Sequence, residues 1–347
     1  MGSQGAPSNT VRLLQPEDRS SLKAFTASYR FRPYYYYEQI NERRLSEFFY
    51  RDLCAGLGQG SVYGRAIEDE ITGVLIFDYL AWDSQLFGIP MAKVDLYVNG
   101  NDYREAFTIA SQLLEVMDAL SRDKKIRHLA CKVNTLEVPT LHALERCAFR
   151  LMDTLTVFSV QPNRMTTDAT EVKTDLRLRE MRDEDVPTLS ALSRKAFTTT
   201  SDILTRFTSD PLLMDKAGDL YAQWLENSYR GDQADIVFVA EVDQRPIGFI
   251  TCRLSSAQAD DVLGKRVGSI PLNAVDPEFR RLGVYTQLVA TALDWFRAQR
   301  VDYVEIRTQI HTLGTHRTWQ RLNGKLVSSY HVLHRSQDGL EGSQARP

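Results

Sequence analysis

The stretch Ser269-Ile270-Pro271-Leu272-Asn273-Ala274-Val275-Asp276-Pro277-Glu278-Phe279-Arg280-Arg281-Leu282-Gly283-Val284-Tyr285-Thr286 sets an apolar run before an acid–proline step, paired arginines and a glycine. The run over 269–275 reads as a strand. After the glycine, Tyr285, Leu288, Val289, Ala292 and Phe296 recur at i, i+3, i+4, i+7 and i+11, which is one face of a helix. Strand, arginine–glycine turn and helix together make an anion cradle. Gly283 lets the backbone turn tightly and approach a ligand. The N–H groups of Leu282, Gly283, Val284, Tyr285 and Thr286 point at whatever sits there, with the positive end of the helix dipole behind them. Arg280 and Arg281 add charge, and a pyrophosphate fits the arrangement. Asp276 before Pro277 is held extended, which positions the loop start.

Working outward, the chain repeats itself. Val11 to Asp18 opens a strand, an acidic turn and a helix to Tyr29; Leu176 to Asp185 does the same and runs to Phe197. A second helix (Leu45 to Leu53, and Ala217 to Leu225) leads in each copy to a strand–turn–strand. The copies close alike. His128 to Val133, Val138 to Ala148 and Phe149 to Val160 match Tyr303 to Ile310, Leu313 to Leu322 and Leu326 to Leu333 as strand, helix, strand. Asn134-Thr135-Leu136 aligns with His311-Thr312-Leu313. The expected domains are therefore 11–160 and 176–335. A polar linker over 161–175 joins them, and flexible tails cover 1–10 and 336–347. Each copy, at about 150 residues, is long enough for its own core.

Composition narrows the classes. With 347 residues, 43% hydrophobic and 25% charged, the chain is ordinary globular protein. A net charge of -3 argues against a nucleic-acid binder working by phosphate neutralisation. No apolar run reaches the roughly 18 residues of a membrane span, and the start has no secretory h-region. Cys54, Cys131, Cys147 and Cys252 form no CxxC pair, so buried thiols in a reducing compartment, the cytoplasm, are expected. No metal site is expected. His331 and His334 on one strand face opposite sides.

Arg280-x-x-Gly283-x-Tyr285 after such a strand resembles the acyl-CoA pyrophosphate loop of the GNAT acetyltransferases, usually (Arg/Gln)-x-x-Gly-x-(Gly/Ala); Tyr285 departs from it. Over roughly 79–335 the chain also resembles the amino-sugar acetyltransferase group typified by TDP-fucosamine acetyltransferase. The matching segments are Leu80 to Gly88, Tyr221 to Gly231, Arg307-Thr308-Gln309 and Tyr330 to Arg335.

The resemblance implies a mixed α/β fold of two tandem GNAT units. Each would be a twisted, mostly antiparallel sheet flanked by helices, with the first unit degenerate. Asn99-Gly100-Asn101-Asp102-Tyr103-Arg104 stands there in place of the cradle. It implies acetyl-CoA as co-substrate and transfer to the primary amine of a small molecule, a nucleotide-linked amino sugar being favoured. Cofactor contacts would come from Leu272, Ala274 and Val275, from the loop Arg280 to Thr286, and from Thr312 and Trp319. The acceptor would meet Tyr221, Trp224, Asn227 and Gln309. In the family a tyrosine on the last helix protonates the leaving thiolate. Trp319 stands in its place, and indole is no general acid. His311, Tyr330 and Tyr285 are the substitutes, with water as a further proton source, and Glu226 is a contributor to amine deprotonation.

Three alternatives stay beside this reading. One is an acetyltransferase for an antibiotic or thiol-precursor amine, one an aminoacyl-tRNA-dependent peptidyl transferase, and one a non-catalytic acyl-CoA-binding protein. The aromatic run Tyr29 to Tyr37 is expected to pack between the copies or at a homodimer contact, and Trp82 and Phe87 to fill the core between copies.

Overall fold

A computed structural model of the chain describes residues 10–68, 70–165, 175–198 and 204–336. The expected tails, apart from Thr10 and Ser336, and residues 166–174 of the expected linker lie outside them. The chain divides into two compact units, Met1–Met152 with Tyr330–Pro347, and Asp153–Ser329.

The first unit carries β1 (Thr10–Leu13), α1 (Arg19–Ser28), α2 (Glu42–Leu57), β2 (Val62–Ile67), β3 (Glu70–Tyr79), α3 (Ala81–Phe87), β4 (Met91–Val98), α4 (Tyr103–Asp123), β5 (His128–Asn134) and α5 (Val138–Arg146). β6 (Arg150–Val160) then takes the chain into the second unit. Next come β7 (Arg177–Glu180), α6 (Val186–Thr198), α7 (Ala217–Tyr229), β8 (Ile236–Val242), β9 (Arg245–Leu254), α8 (Ala257–Leu263), β10 (Val267–Ile270), β11 (Asn273–Val275), α9 (Val284–Ala298), β12 (Tyr303–Gln309) and α10 (Leu313–Arg321). β13 (Lys325–Ser336) returns the chain to the first unit. The fold is mixed α/β with mostly antiparallel pairing, as expected.

The closing strands are exchanged, which corrects the expected domain boundaries. Residues 155–160 of β6 run antiparallel to β12, inside the second unit. Tyr330 to Ser336 of β13 run antiparallel to β5, inside the first. The pattern of β-branched residues marks a strand but carries no address for its partner, because pairing is set by contacts far apart in sequence.

In the first unit the sheet runs β1, β2, β3, β4, β5, β13. One face packs Leu113, Leu114 and Met117 of α4 against Leu75, Val94 and Cys131. Another cluster joins Leu22 and Phe25 of α1 to Phe49 and Leu53 of α2. The start of the aromatic run packs within this unit. Tyr29 lies in that core, with its ring 5.6 Å from Phe49 and 5.5 Å from Tyr97. Phe87 is buried, whereas Trp82 is 41% exposed and fills no core. On β13, His334 is buried edge-on against His128 at 4.6 Å while His331 is only half-buried.

In the second unit the order is β6, β12, β10, β9, β8, β7, with β11 on β9. The face of α9 read from the sequence is the buried one: Leu288, Val289, Ala292 and Phe296 are fully enclosed. The expected strand over 269–275 is broken, however. β10 pairs β12 in parallel and meets β9 at Ser269 opposite Arg253, whereas β11 resumes on β9 at Asn273 opposite Ile250. Four steps on one strand answer three on the other, which is a β-bulge. Proline at 271 has no N–H to give the ladder. Thr251 repairs the break, its Oγ1 accepting from Leu272 N at 2.9 Å while its own N donates to Leu272 O at 2.9 Å.

Candidate active site

The bulge makes the site. Beyond Ile270, β11 holds β9 on one edge and leaves the other edge open. In an antiparallel ladder, alternate residues turn their N–H and C=O toward the partner. Thr251 N donates to Leu272 O and Asp276 N to Ile247 O, so residues 272, 274 and 276 face β9. Asn273 and Val275 therefore turn their backbone groups to the open edge. Arg280 Nε reaches Val275 O at 3.4 Å on that side. Of the residues expected to offer backbone contacts, Leu272 is engaged by Thr251 and Ala274 turns its backbone to the ladder, while Val275, together with Asn273, which the sequence did not single out, faces the open edge. Counting parity back from the Asp276-Pro277 turn would have found it, had the bulge been visible.

The loop after β11 is built as an anion cradle. Asp276 Oδ1 accepts from Glu278 N at 3.1 Å, and its other oxygen meets Arg245 at 3.0 Å, which fixes the loop start. Arg281 at φ 64° and Gly283 at φ 89° both adopt the left-handed conformation that glycine takes most readily. Gly283 is the N-cap of α9 and supplies no side chain to its free N–H groups. The first N–H groups of a helix have no partner within it, so those of Val284, Tyr285 and Thr286 remain for a ligand. Neither Arg280 nor Arg281 has a carboxylate partner among the described residues.

These groups open on a cleft of about 720 Å³, within the range of ligand sites. Arg280, Arg281 and Gly283 to Thr286 line one side, Asn273 to Val275 the floor, and His311 to Thr315 with Thr318 the other side. Ala196 and Phe197 of α6 complete it. Thr312 Oγ1 donates to Gln309 O at 2.7 Å and meets Thr308 Oγ1 at 2.7 Å. His311 Nε2 accepts from Leu204 N at 3.3 Å. Nearby, Asp153 on β6 is buried, and burial raises its carboxyl pKa against the pull of His311 and Arg206.

The other expected residues fall elsewhere. Trp319 is 0% exposed and belongs to the core, not to the cleft wall; its Nε1 donates to Tyr285 Oη at 3.2 Å. The Leu282 side chain packs on the same core. Tyr221 is buried behind Phe197, the rings stacked at 4.0 Å, and Trp224 stacks on Tyr221 at 6.2 Å. These two back the cleft without lining it, and burial pushes the Tyr221 phenol up to about 12. Gln309 contributes its carbonyl to Thr312 and His316. Asn227 O accepts from Asp232 N at the end of α7. Glu226 is engaged by Ser190 Oγ at 3.2 Å and Arg230 at 3.6 Å, the neighbours of a surface carboxylate. Tyr330 stands in the first unit opposite Asn134, with Lys132 over its ring. Phe197 gave no local signal, since only tertiary packing brings α6 to the cleft. Thr315 was legible as the residue one turn before Trp319 on the same helix face.

A bulged strand with one open edge, a glycine-capped helix start and paired arginines without a carboxylate partner among the described residues together border one cleft. Residues 199–324, within the second unit, match the acetyltransferase (GNAT) family. The chain is similar to dTDP-fucosamine acetyltransferase of Escherichia coli O6:H1, 24% identical over 259 residues, which span 74% of this chain and 96% of that one. Among solved structures it is similar to a GCN5-related N-acetyltransferase from Sphaerobacter thermophilus. The TM-score is 0.62 at 14% identity, covering 95% of this chain and 96% of that one. It is also similar to a tandem GNAT protein from the clavulanic acid biosynthesis pathway, with a TM-score of 0.55 at 14% identity, covering 94% and 98%. At such identities the structural likeness speaks for the fold.

Proposed function

We propose that the second unit transfers the acetyl group of acetyl-CoA to the primary amine of a small molecule, and that the acceptor is a nucleotide-linked amino sugar. The observation that carries this is the pairing of a cradle with free arginines and an open β11 edge within one cleft. The cradle suits a pyrophosphate. The N–H and C=O groups of Asn273 and Val275 suit the amides of a pantetheine arm, and an N–H there polarises a thioester carbonyl as an oxyanion hole does. The neutral amine then attacks the carbonyl carbon directly. His311, at the cleft wall, is the group proposed to take up the amine's proton. The acceptor class is supported by the name of the relative that this chain matches over 96% of its length. The four free cysteines accord with a reducing cytoplasm, and no helix among the described residues is long and apolar enough to cross a membrane.

A second reading, an acyl-CoA binder without catalysis, is favoured by the buried indole at 319. One experiment separates the two. Calorimetry with acetyl-CoA is followed by thiol release against nucleotide-linked amino sugars, antibiotic amines and simple amines. Release with the amino sugars is the expected result. Binding without release from any amine would favour the non-catalytic reading, and absence of binding would overturn both.

A further inference from the structure

We propose that Phe197 is the platform on which the acceptor lays its sugar ring, which makes it the residue that selects a ring-bearing amine; this deepens the acetyl-transfer reading above and rests on it. Phe197 stands at the end of α6, half-buried, and lines the cleft beside Ala196. One face of its ring is taken. Tyr221 stacks on it with the centroids 4.0 Å apart and the planes within 18°. Among the described residues Tyr221 is the one ring that Phe197 meets. The face away from Tyr221 is the one Phe197 offers to a ligand.

The platform is braced from behind. Trp224, three residues on along α7 and so on the same side of that helix, lies parallel to Tyr221 within 9° at 6.2 Å. Phe207 sets its ring edge-on to Tyr221 at 6.0 Å. The two helices are locked in register. Ser193 Oγ on α6 donates to Tyr221 O on α7 at 2.9 Å, and Arg194 pairs with Asp219. At Gly218 an added Cβ would meet Arg194 Cγ at 2.8 Å, so the helices approach closely here. Packing has already fixed the Phe197 ring, so ordering it on binding costs little.

Chemistry and place decide what lies on it. An aromatic face is weakly negative, and Phe197 and Ala196 bring no charge, so the platform does not suit a phosphate. It suits a flat, uncharged group that presents C–H bonds, as one face of a pyranose ring does. Its place is the His311 end of the cleft. Leu204, three residues before Phe207, donates its N–H to His311 Nε2 at 3.3 Å. The segment that braces Tyr221 therefore also meets the group proposed to take up the amine's proton. In a nucleotide-linked amino sugar, the ring that carries the amine is the sugar itself. The adenine of acetyl-CoA is joined to the pyrophosphate at the end away from the pantetheine arm, which carries it away from the reacting amine.

The test uses the full chain with CoA bound, so no turnover occurs. The probes are UDP-glucosamine, glucosamine and UMP. With isotope-labelled phenylalanine, filtered NOE spectroscopy reads which probe protons lie against a phenylalanine ring, and titration gives each dissociation constant. The expected result is contact with the C–H protons of the sugar ring, in UDP-glucosamine and glucosamine alike. Phe197→Leu keeps an apolar side chain and removes the π-face. It should abolish that contact and weaken glucosamine binding by about 3- to 10-fold. Phe197→Met does the same and carries the test should Phe197→Leu fail to fold. Phe197→Tyr, which keeps the platform, recovers the lost affinity. Sugar contacts that survive in Phe197→Leu, or that are absent from the native chain, overturn the proposal. So does contact confined to the uracil protons of UDP-glucosamine and UMP, since the ring on Phe197 is then the base. A loss of about 10-fold or more in acetyl-CoA affinity on Phe197→Leu, read by calorimetry, assigns the platform to adenine and overturns it as well. Each of these outcomes leaves acetyl-CoA binding by the native chain, and with it the acyl-CoA reading, intact. Failure of the native chain to bind CoA overturns both.

Discussion

The same fork occurs in both units, and what surrounds it differs. In the first unit β4 pairs β5 from Met91 to Val94 and then continues on β3 alone to Val98. In the second, β10 pairs β12 and β11 continues on β9 alone. Beyond the fork the two units part. β4 runs without a bulge, and past its branch point Tyr97 packs its ring 4.8 Å from Phe49. The Tyr29 hydroxyl donates to Glu137 at 2.7 Å in the same buried region. The helix after β4 is closed by its own side chains. Asp102 accepts from Glu105 N at 2.8 Å, and Glu105 accepts from Asn101 N at 2.8 Å, a reciprocal cap. The helix after β11 is capped by a bare glycine. The two forks share their strand pairing, while one bulge and a few loop residues distinguish them.

A charge placed beside the second fork should have the largest effect. Gly283→Asp puts a carboxylate where the cradle awaits an anion, and like charges brought together cost several kcal/mol. Acetyl-CoA affinity should fall by about 100-fold or more, with a modest drop in the thermal transition because an aspartate is strained at φ 89°. Retained affinity in calorimetry would sink the assignment of the cradle.

The first fork yields a prediction in pH. Burial raises the Glu137 carboxyl to about 7 from an ordinary 4.5. Between those values the folded state holds a proton that the unfolded chain has released, so stability falls as pH rises through that window. The full penalty applies above about 7 and none below about 4.5. Glu137→Gln keeps an acceptor for Tyr29 and removes the charge. It should raise stability by up to about 3 kcal/mol at pH 8 and change it little at pH 4. Denaturant unfolding at the two pH values checks this; an equal effect at both would mean that Glu137 is ionised without penalty.

These contrasts show what the sequence could and could not reveal. The doubled architecture, the cradle and the buried face of α9 were legible because each rests on local pattern: periodicity, a turn glycine, adjacent arginines. Strand partners were not. β6 and β13 carry the same β-branched character, and nothing within either says which sheet will take it. The parity of residues 272–275 was hidden because a single extra residue in a bulge reverses which backbone groups face outward. Trp319 looked like a lost catalytic group. Its bond to Tyr285 joins residues 34 apart on two helices, which no periodicity within one helix can reveal. Glu226 sits half-buried on α7 beside Arg230 and Ser190, and its polar position on a helix face carries no sign of its neighbours.

The smallest effect comes from the cap beside the first fork. Asp102→Ala removes one half of the reciprocal cap on α4, and losing such a cap costs about 1 kcal/mol, or about 2–4 °C in a unit of this size. It should not create a second anion site. Glu105 still reaches back to Asn101 N, and at Gly100 an added Cβ would meet Ala106 N at 2.5 Å, so the backbone there already packs against the helix. Acetyl-CoA should therefore bind at one site with unchanged affinity while the melting transition drops slightly. A second equivalent of CoA bound by Asp102→Ala would break the comparison. It would mean that one carboxylate, rather than the unbulged strand and the close approach of the loop, separates the first fork from the second.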